Sequence, residues 1–263
     1  MKGLSRNLTQ RLLQYTDTVH NWFWTQHYAA RWAYLRFYDR RDAAVQVLTL
    51  PYSPWRALPH ARVNRFCDLP RDFSSLFPKH ADIRAIILDK DNCFAETDKM
   101  QTHPENITAL ENLRRQFPGS RIFIVSNTAG AFLHEVRHAL GINLRLKEET
   151  ETATGIRVHE HLHFKPHESV GKNVLMSLIE DESTGVKAGY NVAVVGDRIF
   201  TDVLMANQIG AWAVWIEDGV KPSNSLLVRL EKRLIALLES RGVKPRLPVA
   251  PPRTEPLPPS DAW

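Results

Sequence analysis

The sequence predicts an α/β fold: a doubly wound parallel sheet preceded by an N-terminal helical extension. Three observations carry this. Four short apolar runs, IRAIILD (83–89), RIFIVSN (121–127), NVAVVGD (191–197) and AWAVWI (211–216), have strand length. Helical segments stand between them, and such alternation argues for parallel strands covered on both faces. The composition supports a core of that size: 263 residues, 43% hydrophobic and 24% charged, exclude a disordered or fibrous chain.

In chain order, the first strand (83–89) precedes a helix over 104–117, and the second strand (121–127) a helix over Ala129–Leu140 that ends at Gly141. Residues 156–164 alternate as a strand, and 166–182 read as a helix. The third apolar strand, 191–197, leads into a helix through Ile209 that Gly210 stops. The fourth, 211–216, is followed by an amphipathic helix over Ser223–Arg241. Residues 244–263 hold 7 of the 16 prolines and read as an extended arm. Three parts result: an extension (1–60), the α/β domain (61–243) and the proline-rich tail (244–263).

Charge separates these parts. The net charge of +5 is the sum of +7 over residues 1–84, with 13 Lys and Arg against 6 Asp, and −2 over the remainder. A nucleic-acid enzyme would carry its positive charge on the catalytic body, so nucleic acid is not an expected partner. Between His20 and Asp39 stand Trp22, Phe23, Trp24, Tyr28, Trp32, Tyr34, Phe37 and Tyr38, with Arg31, Arg36, Arg40 and Arg41 among or beside them. Rings mixed with arginines suit a membrane interface, and equally suit packing on the main domain or on a second subunit in a homo-oligomer. The first 16 residues carry Lys2, Arg6 and Arg11 and no acid, which is similar to a mitochondrial presequence. An apolar h-region of the secretory kind is missing. The two cysteines, Cys67 and Cys93, fit a reducing compartment. No window reaches the roughly 18 consecutive apolar residues of a spanning helix.

Three of the apolar strands end in polar clusters, at the edge where open α/β sheets bind ligands. Asp89-Lys90-Asp91-Asn92-Cys93 follows the first, Ser126-Asn127-Thr128 the second, and Gly196-Asp197-Arg198 the third, with Asp202 a turn further. Phe164-Lys165-Pro166 lies between the last two. Each cluster alone is explained as a turn or a helix cap. Their shared position makes them a phosphoryl-transfer site. Asp89 is placed to attack phosphorus, and Asp91, two residues on, to protonate the leaving oxygen and then activate water. Asp89, Asp91, Asp197 and Asp202 form the expected shell of a Mg²⁺ ion, a hard cation that relieves repulsion between carboxylates and phosphate. Ser126, Asn127, Lys90 and Arg198 are expected on the substrate, and Lys165 neutralises charge shared by Asp89 and the phosphoryl group.

This set resembles the haloacid dehalogenase superfamily: DxDx(T/V), a strand-end Ser or Thr, a lysine, then GDxxxxD, with Cys93 where Thr or Val is usual. The strings LDKDNCFA (88–95), IVSNTAG (124–130), VAVVGDRIFTDVLMAN (192–207) and VWIEDGVKPSNSLLVRLEK (214–232) resemble the fungal mitochondrial phosphatidylglycerophosphatases. RFCDLP (65–70) extends the likeness to about residues 61–242. The family's Lys-Lys-Pro-Gly segment is Phe164-Lys165-Pro166-His167 here. The resemblance implies a Rossmann-like core and removal of the terminal phosphate of phosphatidylglycerophosphate on the route to cardiolipin. It places that activity on the matrix side of the mitochondrial inner membrane, in a peripheral protein. About ten residues separate Cys93 from the next helix and about 38 lie between Ser126 and Lys165, so the core is expected to be capless, open to an anionic phospholipid. The same openness allows a protein or nucleotide phosphatase. An inactive lipid-binding scaffold is the remaining reading. His159, His161, His163 and His167 are expected on a solvated face near the site, where partial charge near neutral pH helps hold an anionic headgroup. A zinc site is the lesser alternative for them.

Overall fold

The computed structural model describes residues 46, 48–97, 99–128, 142–161, 163–222, 225–248 and 250. Its frame is one sheet of six parallel strands: β1 (Ala61–Val63), β2 (Ala85–Leu88), β3 (Ile122–Ile124), β4 (Arg157–Val158), β5 (Val192–Gly196) and β6 (Trp212–Ile216). They lie in the order β1-β6-β5-β2-β3-β4. Every residue of β2, β3, β5 and β6 is buried, as continuous apolar runs require when both faces are covered. Alternation divides the core in two. Ala85, Ile87, Val192 and Val194 point into one cluster, and Ile86, Leu88, Ala193 and Val195 into the other.

Helices α1 (Ile107–Gln116), α2 (Ile142–Thr154), α3 (Glu168–Glu180), α4 (Leu204–Gln208) and α5 (Leu226–Ser240) complete the described fold. A π-helical turn, Ile199–Val203, opens α4. The chain runs from β2 outward through β3 and β4, then returns to the other side of β2 with β5. That reversal sets the carboxyl ends of β2 and β5 side by side, in register at Leu88 and Val195, and opens a crevice beyond them.

The α/β reading holds, with local differences. β1 was not expected: three residues are too few for a period to register, yet they pair with Val214–Ile216. Leu50, Ala57 and Leu58, from the stretch assigned to the extension, are buried in the core. α2 is also new. Its sequence, INLRLKEETETAT, turns Thr150 and Thr154 inward, their hydroxyls donating to the Leu146 and Thr150 carbonyls at 2.7 Å. The strand expected over 156–164 shortens to Arg157–Val158. The helical extension up to residue 45, the helix expected over Ala129–Leu140 and the tail from residue 251 lie outside the described residues. Before that point the tail lies along the body, with the Arg246 guanidinium 4.6 Å over the Trp55 ring. The short segment after Cys93 and the additions of α2 and β4 belong to this same α/β unit, so among the described residues no cap domain stands over the crevice. No described helix is long and apolar enough to cross a membrane.

Candidate active site

At the crevice the chain leaves β2 into Asp89 and the turn Asp91–Ala95. Asn92 there takes a left-handed φ of 61°. That conformation aims its side chain across the crevice: Nδ2 donates to Asp197 Oδ2 at 3.0 Å, while Oδ1 accepts from the Lys221 amide at 2.9 Å. Gly219 admits this approach, since a Cβ there would stand 2.0 Å from Asn92 Nδ2. β5 ends at Gly196, where a Cβ would lie 2.3 Å from Asp202 Oδ2. The Gly-Asp pair is therefore a space requirement for Asp202 as well as a turn. The resulting cleft holds about 400 Å³, and its walls include Asp89, Asp91, Asn127, Thr128, Lys165, Asp197, Arg198, Lys221 and Val228.

Asp89, Asp197 and Asp202 bring carboxylate oxygens within 4.8 Å of one another. Lys165, almost fully buried, donates from Nζ to Asp89 Oδ1 at 2.5 Å and to Asp202 Oδ1 at 2.6 Å. Asn127 holds the lysine backbone, its Oδ1 accepting from the Lys165 amide at 2.8 Å. Burial pushes the Asp89 carboxyl well up; Lys165 opposes this, and the charges of Asp202 and Asp197 add to it. Burial and the Asp202 charge push Asp197 up to about 7. Lys165 is depressed by burial, but Asp202 and Asp89 outweigh that and raise it.

Asp91 has a different environment. Its carboxylate accepts from the ammonium of Lys90 and from the hydroxyls of Thr128 and Ser126, the last at 2.9 Å. Burial raises its pKa, yet Lys90 and these hydroxyls prevail and hold it below the ordinary carboxylate value. The two aspartates of one turn are thus tuned in opposite directions.

The expected substrate contacts divide. Asn127 and Arg198 line the cleft. Lys90 and Ser126 do not: both side chains are fully buried and face Asp91, with Lys90 also on the Lys99 carbonyl at 2.9 Å. Arg198 is largely engaged, its Nε donating to Glu231 Oε2 at 3.0 Å. His159 and His161 do not take the solvated, partly charged position expected of the histidine run. His161 is buried, with ring nitrogens against the His163 and Ser126 carbonyls, and burial lowers both His159 and His161 to about 4. Among the described residues the only cluster suited to a metal is the aspartate one. Sequence reasoning missed Asn92, Thr128, Lys221 and Glu231. The first two stood inside the strand-end clusters, and Lys221 and Glu231 inside the 214–232 string, where nothing local marks either as a site residue.

The sequence profile described as mitochondrial PGP phosphatase matches residues 42–221 of this chain. The chain belongs to this family. It is 36% identical over 197 residues to the mitochondrial phosphatidylglycerophosphatase of Saccharomyces cerevisiae, covering 75% of this chain and 97% of that one. It is 24% identical over 194 residues to the Schizosaccharomyces pombe protein named "Probable phosphatidylglycerophosphatase, mitochondrial", covering 72% of this chain and 88% of the relative. A chloroplastic/mitochondrial phosphatidylglycerophosphate phosphatase of Arabidopsis thaliana is 29% identical over 174 residues, 64% of this chain and 45% of that longer one.

In this phosphatase the donor set fits a hard cation. Three carboxylates converge, only Asp89 and Asp202 share the Lys165 ammonium, and Asp197 Oδ1 is buried with no hydrogen-bond partner. Such an orphaned oxygen among carboxylates calls for a positive ligand. Asp89, Asp197 and Asp202 would hold it. The Asp91 carboxylate is outside this set, which leaves its expected metal contact to the backbone carbonyl.

Proposed function

We propose that this phosphatase hydrolyses phosphatidylglycerophosphate to phosphatidylglycerol, with Mg²⁺ and through an aspartyl-phosphate on Asp89. We place it on the matrix side of the mitochondrial inner membrane, upstream of cardiolipin. The observation that carries the reading is geometric: Asp89, Asp197 and Asp202 converge, with Lys165 on Asp89 and Asp202, in one open cleft that Asp91 also lines. Resemblance to relatives named for this substrate supplies its identity.

The steps follow from the chain's own groups. An Asp89 carboxylate oxygen attacks phosphorus as the bond from phosphorus to the glycerol oxygen breaks, and Asp91 gives that oxygen a proton. In the free enzyme Lys90, Ser126 and Thr128 keep Asp91 ionised. A bound phosphate dianion raises its pKa, so the proton enters with the substrate. Asp91 then takes a proton from water, which attacks phosphorus and breaks the bond to Asp89, releasing inorganic phosphate. Lys165 pairs with Asp89 throughout and is held there by Asn127. Mg²⁺ in the aspartate cluster supplies the positive charge that lets a dianion approach these carboxylates.

Residues before Leu50 attach the enzyme to the membrane as a peripheral protein, through their rings and arginines; the catalytic unit follows, and the proline-rich tail lies outside the chemistry. Phosphate release from phosphatidylglycerophosphate vesicles, nucleotides and phosphopeptides, with Mg²⁺ and with chelator, tests the reading. The lipid should lead by at least about tenfold in kcat/KM, about 1.4 kcal/mol of transition-state discrimination. A nucleotide or phosphopeptide ahead of the lipid would overturn it.

A further inference from the structure

α5 is apolar on two sides. Its inner side buries Ile235 and Leu238 and the paired Glu231. Its outer side presents Leu226, Leu230 and Leu237 at 74%, 55% and 46% exposure, although spacings of four and seven residues would suit a core-facing stripe. Arg229, Arg233 and Arg241 stand among and beside these leucines, all exposed. The other charged residues of the helix have partners: Lys232 has Asp218, Glu231 has Arg198 and Glu239 has Arg62. The three arginines have no ion pair among the described residues. The helix also begins at the cleft, for Val228 is part of its wall and Lys221, in the loop before it, is another part.

We infer that the outer face of α5 is the surface with which the catalytic unit lies on an anionic bilayer, leucines at the acyl boundary and arginines at lipid phosphates. This rests on the reading of the substrate as a membrane phospholipid. Leucines in solvent on one helix face mark a contact surface, and three unneutralised arginines among them select an anionic, partly apolar one. A second copy seated by two-fold symmetry would bring the same arginines together, which disfavours that occupant. The position of α5 gives the contact a purpose. A phosphate whose acyl chains remain in the bilayer reaches Asp89 only if the cleft opens at headgroup depth, and α5 is the apolar surface that adjoins the opening.

The test uses the full chain. One variant carries Leu226→Ser, Leu230→Ser and Leu237→Ser; a second carries Arg229→Gln, Arg233→Gln and Arg241→Gln. Each is assayed on glycerol 3-phosphate in solution and on phosphatidylglycerophosphate in phosphatidylcholine vesicles with phosphatidylglycerol. The ratio of vesicle to soluble activity should fall about tenfold in both, with soluble activity unchanged. An unchanged ratio overturns the inference. A fluorophore on Leu230→Cys, in a Cys67→Ser background, reports the contact directly and covers a leucine variant that fails to fold. Its emission should shift to the blue with phosphatidylglycerol vesicles and less with phosphatidylcholine alone. No shift, or a blue emission already present without vesicles because residues 1–45 or a second copy cover the stripe, overturns it. A parent chain that shows the shift but releases no phosphate from the lipid refutes the substrate reading and leaves the docking surface standing.

Discussion

Substituting Asp197→Asn should stabilise the protein in the presence of a chelator, although it removes a residue of the cation cluster. The Asp197 carboxyl is buried beside Asp202, and its pKa rises from 3.8 to about 7. The folded state therefore binds a proton that the unfolded state has lost, so this group costs stability as pH rises from about 4 through 7. At about 1.4 kcal/mol for each pKa unit, the cost reaches about 4 kcal/mol above pH 7 without a cation. Asn has the shape of the protonated acid and carries no such cost. Because a chain of this size shifts by about 2–4 °C per kcal/mol, the variant should melt on the order of 10 °C above the parent at pH 8, and near it at pH 4. His159 and His161 act with the opposite sign over part of this range, but they are present in both proteins and cancel in the difference. Adding Mg²⁺ should raise the parent Tm and leave the variant nearly unmoved. Calorimetry across pH with and without Mg²⁺ decides it. A variant no more stable than the parent at pH 8 in chelator would refute the view that this carboxyl is held in a cost that a cation relieves.

Asp89→Asn should abolish turnover and the covalent phosphoenzyme seen by radiolabelled phosphate trapping; an active variant ends the covalent mechanism. Asp91→Asn should slow turnover by about 10²–10⁴-fold, the range of general acid–base catalysis, while Mg²⁺ binding measured by calorimetry stays within a few-fold of the parent. His161 is neutral in the fold, with its pKa near 4 against 6.5 outside it, so its stabilisation is complete above pH 6.5 and is lost as pH falls toward 4. His161→Gln should therefore flatten the fall in Tm between pH 6.5 and 5, and an equally steep fall would contradict the burial argument. Gly196→Ala should displace the Asp202 carboxylate, which a Cβ would meet at 2.3 Å, and weaken Mg²⁺ binding by at least about tenfold with the sheet intact by circular dichroism.

The sheet was legible because parallel strands covered on both faces must be written as unbroken apolar runs, and β2, β3, β5 and β6 are such runs. The site residues were legible as a group for a related reason, since polar residues at the ends of buried strands are thrown together by the sheet itself. Direction was not legible. Lys90 and Lys165 are both lysines beside aspartates, yet one is folded back onto Asp91 and the other bridges Asp89 and Asp202. Each lysine lowers the pKa of its aspartate, and burial outweighs this at Asp89 but not at Asp91. Where each lysine points depends on Asn127 and the Lys99 carbonyl, partners scattered along the chain. The histidine run misled for the same reason. Alternation is a property of neighbours in sequence, whereas the charge of His161 is set by its burial against the Ser126 carbonyl, 35 residues away. Local pattern thus identifies the groups that converge, and desolvation in the folded state decides the charge each one carries when it arrives. In this phosphatase, Asp89 and Asp91 share one turn and a residue type, so their opposite tuning comes wholly from what the fold packs around them.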